Sequence, residues 1–583
     1  MATFAEPRIG CSRSDDGTVR LWSQDPLGPA ARTVADQFRQ GSDAHPDRLL
    51  VAERDGDGWR QLTWGQARSL ADRLAQGLLD RGLADRPVMI LSGNSNEHLV
   101  LTLAAYTLGV PVVPVSTAYS LQSRDHAKLR AMVELVEPGL VFAAGSEFEP
   151  ARAAVGAPAT GLAELLADAA GPEVEERFAA LTPDTVAKLL FTSGSTGTPK
   201  GVITTHGMLT ANQQQIRQVW PFLADEPPVL LDWLPWSHTF GGSHDLGLVL
   251  ANGGTMWIDD GRPVPALVGR TVANLADVSP TLYFNVPAGY AALLPLLERD
   301  PVAAKAFLAR LRFAFFAAAA LPQQLWDRLE ALAAEHGATM RMTTSWGMTE
   351  SSPGATTAHF AVTRSDCLGV PLPGVELKLV PVGRAAEVRL RGPNITPGYH
   401  RRPDLTAAAF DEEGYYRTGD AVSLVDEDRP ELGLLFRGRL AEDFKLSTGT
   451  FVSVGTLRPA LLSAAQGLLT DAVLCGHDTE QVTALAWLHP DAAGRCSDDG
   501  MPDAGLRAEL AAALSRLAAA GGGSSQRVER LLLLTEPPAL DAGEITDKGY
   551  INQRAVRERR TADVEALGGD DPRVVVRPTP PPR

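Results

Sequence analysis

The chain has 583 residues, of which 44 % are hydrophobic and 21 % charged, so it is long enough for several lobes and has the composition of a globular protein. Its formal net charge of −16 argues against a protein that coats nucleic acid or an anionic membrane, because both surfaces require clustered lysine and arginine. The four cysteines form no C-x-x-C pair, and no leader pattern or long apolar run is present. We therefore expect a cytoplasmic protein with no membrane span and no nucleic-acid partner.

The first part of the chain alternates between helical and strand-like patterns. Residues 63–82 and 97–110 have apolar side chains at helical spacing, and residues 87–93 form a short run typical of a buried strand. Further strand-like runs, VLLDWLP, GTMWIDD and RFAFFAA, are separated by helical segments between residues 229 and 342. This alternation predicts an α/β fold with stacked sheets in a large N-terminal domain.

The pattern changes twice in the second part. Residues 369–437 contain short alternating runs bounded by glycine and proline, which predicts a β-rich subdomain at the end of a large domain spanning 1–437. We place a hinge at 438–441 and a smaller, mobile α+β domain at 442–565. The proline-rich end, 566–583, is expected not to fold.

A loop of small residues, TSGSTGTPKG, follows the buried-strand run VAKLLF. Small residues allow backbone N–H groups to close around phosphate oxygens, hydroxyls add donors, and one lysine opposes the charge. The spacing differs from the familiar G-x-x-x-x-G-K-[ST] loop, because Pro199 stands at the second glycine position. Composition alone leaves a flexible linker open as the alternative. The candidate phosphate ligands are Thr192, Ser193, Gly194, Ser195, Thr196, Gly197 and Lys200.

FTSGSTGTPKG resembles the signature loop of the acyl-activating superfamily, which contains acyl-CoA synthetases, adenylation domains of peptide synthetases and luciferases. Further segments of the chain resemble other motifs of this superfamily and follow in the same order. The resemblance implies ATP, Mg²⁺ and CoA as cofactors, with Lys200 and the loop hydroxyls at the β- and γ-phosphates. It favours the phosphate loop over the linker.

TTSWGMTE resembles the superfamily segment that holds adenine, the α-phosphate and magnesium. The resemblance implies that Trp346 stacks on the base beside Gly347, that Thr349 contacts phosphate and that Glu350 ligates Mg²⁺. Magnesium prefers oxygen ligands and fits one carboxylate together with nucleotide phosphates. For the glutamate alone, a solvated helix cap is the alternative.

Three later positions complete the expected nucleotide site. YYRTGDAV resembles the ribose-binding segment, in which Asp420 accepts from two vicinal hydroxyls, and FRGRLAEDF resembles the hinge, from which Arg439 reaches the ribose side. The small domain of the superfamily carries a lysine that neutralises charge during acyl-phosphate formation. Lys548 in GEITDKGYINQR is the only lysine after Lys445 and is therefore the candidate.

The chain departs from the superfamily pattern at three places. The common ending P-K-T-x-x-G-K-[IV] is absent, so Lys548 is assigned by its position and by the scarcity of lysine. Ala318 stands where relatives usually have a glycine beside adenine, and Ala441 occupies the position of the usual aspartate or lysine hinge. These differences leave the pivoting residue open.

PWSHTFGG resembles the segment that ends one wall of the acyl pocket, with His238 as the side chain that moves between the two steps. Trp236, Phe240, Tyr283 and Phe284 suit a flat aromatic acid, and core packing is the alternative for these aromatics. A metal site at His238 and a nearby histidine lacks an evident third ligand.

Several segments resemble the feruloyl-CoA synthase branch: PWSHTFGGSHD, WIDDGRP, TLYFNVPAGY, AEDFKLSTGTFVSVG and GEITDKGYINQRAV. This similarity extends from about residue 30 to about residue 565 and favours a hydroxycinnamate, an aromatic carboxylic acid, as the substrate. The alternatives are a medium-chain fatty acyl-CoA synthetase, a stand-alone enzyme that loads a carrier protein, and a catalytically silent binding protein. The sequence also leaves a homodimer open.

Overall fold

The computed structural model describes residues 3–193, 199–383 and 385–578, with strands and helices throughout. Within these ranges, every helix is too short or too polar to cross a lipid bilayer. The strands are β1 (Ile9–Arg13), β2 (Val19–Ser23), β3 (Leu49–Asp55), β4 (Gly58–Thr63), β5 (Val88–Leu91), β6 (Val112–Val115), β7 (Leu140–Ala143), β8 (Val186–Ser193), β9 (Pro199–Thr205), β10 (Val229–Asp232), β11 (Thr255–Ile258), β12 (Leu282–Asn285), β13 (Phe313–Phe316), β14 (Arg341–Gly347), β15 (Gly354–Thr357), β16 (Cys367–Pro371), β17 (Glu376–Val382), β18 (Ala385–Arg391), β19 (Tyr416–Leu424), β20 (Leu434–Arg439), β21 (Phe444–Lys445), β22 (Phe451–Val452), β23 (Leu469–Cys475), β24 (Val482–Leu488), β25 (Val528–Leu533) and β26 (Val575–Val576).

The helices lie between these strands on the sheet faces and at the sheet edges. They are α1 (Val34–Ala44), α2 (Trp64–Asp80), α3 (Asn96–Leu108), α4 (Thr117–Leu121), α5 (Ala127–Val136), α6 (Glu149–Ala154), α7 (Leu162–Leu165), α8 (Pro172–Ala179), α9 (His206–Val219), α10 (Leu246–Ala251), α11 (Val268–Asp277), α12 (Pro287–Leu297), α13 (Pro301–Leu308), α14 (Gln323–Glu335), α15 (Pro403–Ala409), α16 (Val454–Ala464), α17 (Ala504–Ala519), α18 (Gln553–Arg559) and α19 (Thr561–Ala566). A π-helix, Phe240–Asp245, precedes α10.

A five-stranded sheet in the order β7-β5-β6-β8-β9 carries the glycine-rich loop. Its strands are parallel except for β9, which pairs antiparallel with β8. β5 and β6 are buried along their whole length, as expected for parallel strands covered on both faces. The side chain of Thr63 caps α2 and that of Thr205 caps α9, each by accepting a backbone N–H of the first turn. The helices and strand predicted at 63–82, 97–110 and 87–93 are thus confirmed as α2, α3 and β5.

An eleven-stranded sheet runs through the rest of the large domain, in the order β1-β2-β17-β18-β19-β20-β16-β15-β14-β13-β12. The strands at one end, β12 to β14, are parallel, whereas β14 to β20 pair antiparallel. The strands of the predicted β-rich subdomain therefore continue a sheet that begins in the α/β part. A third sheet, β10-β11-β3-β4, presents the carboxyl end of β10 to the segment that contains His238.

The small domain has its own apolar core around the four-stranded sheet β23-β24-β25-β26, which α16 and α17 cover. The α/β fold with a large sheet-rich domain and a smaller second domain is confirmed. The expectation that 566–583 does not fold is wrong for Val575–Val576, which form β26 against β25. The reason is burial, since Val574 and Val575 close the edge of the small-domain cores. Residues 579–583 lie outside the described ranges.

Candidate functional site

The glycine-rich loop connects two antiparallel strands, with Thr192 of β8 opposite Lys200 of β9. Of the predicted ligands, Gly194, Ser195, Thr196 and Gly197 lie outside the described residues, as does the side chain of Ser193. The Thr192 hydroxyl is buried and has no hydrogen-bond partner among the described residues. A buried hydroxyl of this kind is available to a ligand oxygen, because unpaired buried polar groups are costly.

Lys200 and Glu350, which are 150 positions apart in sequence, meet in a compact polar cluster. The Lys200 Nζ lies 3.5 Å from Glu350 Oε1 and donates to the Tyr399 hydroxyl over 2.6 Å. Tyr399 in turn donates to Glu350 Oε1 over 2.9 Å and lies 3.0 Å from the Tyr416 hydroxyl. Burial, together with the Glu350 carboxylate, raises the pKa of both tyrosines, so both hydroxyls stay protonated. Sequence reasoning singled out neither tyrosine.

This cluster fits a magnesium nucleotide better than a metal held by protein alone. Among the described residues no group of three histidine, cysteine, aspartate or glutamate side chains is arranged to hold a metal ion. Glu350 is a single buried carboxylate, and its nearest cation is the lysine that follows the phosphate loop. One carboxylate suits an ion that takes its other ligands from phosphate and water, as Mg²⁺ does.

The predicted base and ribose residues also come together. The Trp346 indole Nε1 donates to Asp420 Oδ2 over 3.1 Å, and Arg439 Nε lies 3.7 Å from Asp420 Oδ1. Asp420 and Arg439 face each other across the β19–β20 pair. Burial raises the pKa of Asp420, and the Arg439 charge opposes that rise. Gly347 ends β14 at a register shift, and Thr349 follows, buried, in the short turn that contains Glu350.

Lys548 lies at the tip of a hairpin that enters the cleft between the domains. Ile545 pairs with Ile551, and the Gly549 N–H bonds to the Thr546 carbonyl to close the turn. The Lys548 side chain is open to solvent, but the surrounding protein lowers its pKa by desolvation. The Asp547 and Glu350 carboxylates oppose this lowering, so Lys548 shares an electrostatic environment with the cluster of Lys200, Glu350 and Tyr399.

The hairpin contacts two of the segments singled out in the sequence. His238 Nε2 lies 3.5 Å from Asp547 Oδ2, and both side chains are largely buried. Burial first, and then the Lys548 charge, lower the pKa of His238 to about 4, so the imidazole is neutral near pH 7. The Tyr550 hydroxyl donates to the carbonyl of Ala318 over 3.2 Å. Ala318 has φ of +73°, a left-handed conformation that favours glycine, although the residue is alanine.

The residues predicted to contact the acid substrate do not all lie together in the structure. Phe240 and Phe284 lie with ring centroids 6.4 Å apart, and Phe315 lies 5.7 Å and 5.2 Å from them. Tyr283 points to the other face of β12, where it packs on Phe307 in a separate core. Trp236 is buried, with its ring against His98.

His244 and Asp245 lie beside the phenylalanine cluster, and sequence reasoning gave Asp245 no role. His244 Nδ1 is 2.6 Å from Asp245 Oδ1, and the imidazole stacks on Phe315 with centroids 5.4 Å apart. Burial lowers the pKa of His244 to about 3, so a neutral ring faces the aromatic side chains. The two histidines, His238 and His244, were the available signal, but as a pair they suggested only a metal site, for which no third ligand was evident.

Comparison with known proteins identifies the family to which this chain belongs. The AMP-binding enzyme family matches residues 38–400, more than half of the chain. The chain belongs to the AMP-binding enzymes. Long-chain-fatty-acid–CoA ligase FadD15 of Mycobacterium bovis is 25 % identical over 90 % of this chain and 94 % of its own, and the medium-chain fatty-acid–CoA ligase of Escherichia coli is 27 % identical over 72 % and 73 %.

Solved structures of this family share the fold. The o-succinylbenzoate coenzyme A synthetase of Bacillus subtilis, in complex with AMP, superimposes with a TM-score of 0.70 at 20 % identity, over 90 % of this chain and 98 % of the synthetase. The same synthetase has been solved with ATP and a magnesium ion. The family match and the relatives support an ATP-dependent acyl-CoA ligase that adenylates a carboxylic acid and then forms a CoA thioester.

Proposed function

We propose that this AMP-binding enzyme activates ferulate or a related hydroxycinnamate as its CoA thioester. The choice of an aromatic acid rests on the aromatic rings that pack around the segment that follows His238. Phe240, Phe284 and Phe315 pack with centroids 5.2–6.4 Å apart beside the neutral His244. Phe284 and Phe315 are buried and Phe240 is partly exposed. A phenolic ring bound at Phe240 would therefore meet an apolar aromatic cluster with the polar His244 at one edge. The feruloyl-CoA synthase-like segments of the sequence support the same choice.

In the first half-reaction, one oxygen of the acid attacks the α-phosphorus of ATP, and the bond to the β-phosphate breaks. The products are acyl-AMP and pyrophosphate. We assign Lys548 to neutralise the charge that develops at the reacting phosphate, since the hairpin carries it into the cleft. Such electrostatic assistance contributes about 10²–10³ in rate. Lys200 and Thr192 are assigned to the departing phosphates, and Asp420 to the ribose hydroxyls.

Glu350 is assigned to hold Mg²⁺, which would neutralise phosphate charge when bound. Thr349, in the same turn, is assigned to the α-phosphate. Tyr399 is assigned a supporting role, because its hydroxyl bonds both Lys200 and Glu350 and so fixes their spacing.

In the second half-reaction, the CoA thiolate attacks the acyl carbon, the bond to the phosphate oxygen breaks and AMP leaves. The Lys548 hairpin occupies the side of the cleft next to His238, so we expect the small domain to rotate about 438–441 before the thiol reacts. Rotation would break the His238–Asp547 contact and free the imidazole to move.

A medium-chain fatty acid is the second candidate substrate. Fatty-acid ligases occur among the relatives, and the apolar phenylalanine cluster beside Phe240 also suits an alkyl chain. Loading of a carrier protein, with no need for CoA, is the third candidate.

The experiment that tests the proposal is pyrophosphate release with ferulate, coumarate, caffeate, benzoate and octanoate, each with and without CoA. The proposal predicts the highest kcat/KM for a hydroxycinnamate and a CoA thioester as the product. Turnover of octanoate without turnover of any cinnamate would overturn the substrate class. Adenylation that never yields a CoA thioester would overturn the ligase in favour of carrier loading.

A further inference from the structure

The segment just before the Lys548 hairpin is hydrogen-bonded to a turn of the large domain. The Ser123 hydroxyl donates to Asp541 Oδ1 over 2.7 Å, and the Arg124 backbone N–H donates to Asp541 Oδ2 over 2.9 Å. Ser123 is itself held in place, because its oxygen accepts the His126 N–H over 3.0 Å. Both carboxylate oxygens of a small-domain residue are therefore bound by the turn between α4 and α5.

Two further contacts surround this pair. The Lys128 Nζ donates to the Leu540 carbonyl over 2.6 Å, from the first turn of α5. The Leu540 side chain packs against the apolar core that contains Tyr119 and Leu129. The turn thus meets the small domain through a charged pair of hydrogen bonds, a lysine and an apolar contact.

The docked segment is joined to the hairpin by hydrogen bonds of one buried carboxylate and its backbone. The fully buried Glu544 accepts the Ala539 N–H over 2.8 Å and the Arg560 Nε–H over 2.7 Å, and its own carbonyl accepts the Asn552 N–H. The loop from 539 to 544 is therefore bonded to Arg560, the residue after α18, and to Asn552, the residue that joins the hairpin to α18. We therefore expect a displacement at Asp541 to shift the tip that carries Lys548.

We propose that Asp541 is a positioning residue, which docks the small domain on the turn between α4 and α5 and so holds Lys548 in the cleft for adenylate formation. This inference rests on the assignment of Lys548 to the first half-reaction. In the proposed mechanism the second half-reaction uses another domain orientation, so we expect it not to need the contact.

The test compares the full-length wild type with Asp541→Ala, Ser123→Ala and the double variant. Two rates are measured for each: pyrophosphate release with the acid that the wild type adenylates fastest, and thioester formation from supplied acyl-AMP and CoA. Asp541→Ala should slow adenylation about tenfold, because a charged acceptor loses both donors, and should change thioester formation less than twofold. Ser123→Ala should slow adenylation less, and the double variant should match Asp541→Ala, since both residues act through one contact.

Hydrogen exchange of residues 117–128 gives a readout that does not depend on the substrate. The Arg124 amide should exchange faster in Asp541→Ala than in the wild type, since it loses its acceptor. The control, Asp570→Ala, removes an exposed small-domain carboxylate with no hydrogen bond among the described residues and should leave all three measurements unchanged.

Equal loss of both half-reactions in Asp541→Ala, or unchanged adenylation and exchange, would overturn the inference. Failure of the hydroxycinnamate assignment leaves this test intact, because the acid is chosen by the activity of the wild type. A Lys548→Ala variant with normal adenylation would overturn the Lys548 assignment separately, whatever Asp541→Ala does.

Discussion

The indole N–H of Trp346 donates to the carboxylate of Asp420 over 3.1 Å, although the two residues belong to strands separated by 74 positions in the sequence. This bond occupies Oδ2 and leaves Oδ1 facing Arg439 at 3.7 Å. Trp346, which is assigned to adenine, thus orients Asp420, which is assigned to the ribose. The two functions are mechanically coupled, because a change in the indole changes the direction of the carboxylate.

Loss of this bond should weaken ATP binding more than it slows chemistry. In Trp346→Phe, the carboxylate of Asp420 loses its N–H donor, and we expect the KM for ATP to rise several-fold with a smaller change in kcat. Asp420→Asn should raise the KM for ATP further, because it removes the charged acceptor of the ribose hydroxyls. Steady-state kinetics with varied ATP check both results. An unchanged KM for ATP in Asp420→Asn would contradict the ribose assignment.

Removal of the hairpin lysine should separate the two half-reactions. Lys548→Ala should reduce acyl-AMP formation by about 10²–10³, while thioester formation from supplied acyl-AMP survives. Pyrophosphate release and thioester formation are measured separately. Lys305→Ala, an exposed lysine on α13, is the matched control and should leave both rates unchanged. Loss of both half-reactions in Lys548→Ala would mean that this lysine is not specific to adenylation.

The magnesium concentration that the enzyme requires should depend on Glu350. Glu350→Gln keeps the side-chain size but removes the charge, so half-maximal pyrophosphate release should need a higher Mg²⁺ concentration. A magnesium titration at saturating ATP measures this shift, with Glu335→Gln, an exposed residue at the end of α14, as the control. The same requirement in Glu350→Gln and wild type would exclude Glu350 as a ligand.

Buried histidines should make the folded state sensitive to mild acid. Burial lowers the pKa of His206 to about 3, whereas a histidine in an unfolded chain titrates near 6.5. Below pH ~6.5 the unfolded state binds a proton that the folded state does not, so the contribution of neutral His206 to stability is lost as the pH falls. The stability difference between wild type and His206→Gln should therefore shrink by about 1.4 kcal/mol per pH unit below that point. Denaturant titrations from pH 7.5 to 5 measure the difference, and a pH-independent value would contradict the prediction.

A glycine at position 318 should stabilise the fold. Ala318 has φ of +73°, and a left-handed conformation costs a non-glycine residue about 1–2 kcal/mol, partly offset by the greater unfolded-state entropy of glycine. Ala318→Gly should raise the free energy of unfolding by about 0.5–1 kcal/mol. Ala319→Gly is the control, because Ala319 lies outside the left-handed region and should lose stability on the same change. A destabilised Ala318→Gly would contradict the strain argument.

The side chains of β12 show what strand periodicity predicts and what it leaves undecided. Alternation along a strand places Tyr283 and Phe284 on opposite faces, but the sequence does not say which face meets the substrate segment. The packing of Phe284 on Phe240 and of Tyr283 on Phe307 decides it. Tyr399 and Tyr416 escaped prediction for a related reason. Tyr399 donates to Glu350, and Tyr416, at the start of β19, bonds to the Tyr399 hydroxyl; no local pattern encodes such long-range contacts.

The sequence by itself determined the fold class and the order of the nucleotide motifs, because each depends on residues that are neighbours along the chain. Only the tertiary structure decided that the hairpin of Lys548 reaches His238, that Asp541 binds the turn after α4 and that Val575–Val576 complete a sheet. These contacts join segments tens to hundreds of residues apart, so they depend on the register of strands and the docking of two cores rather than on local propensity.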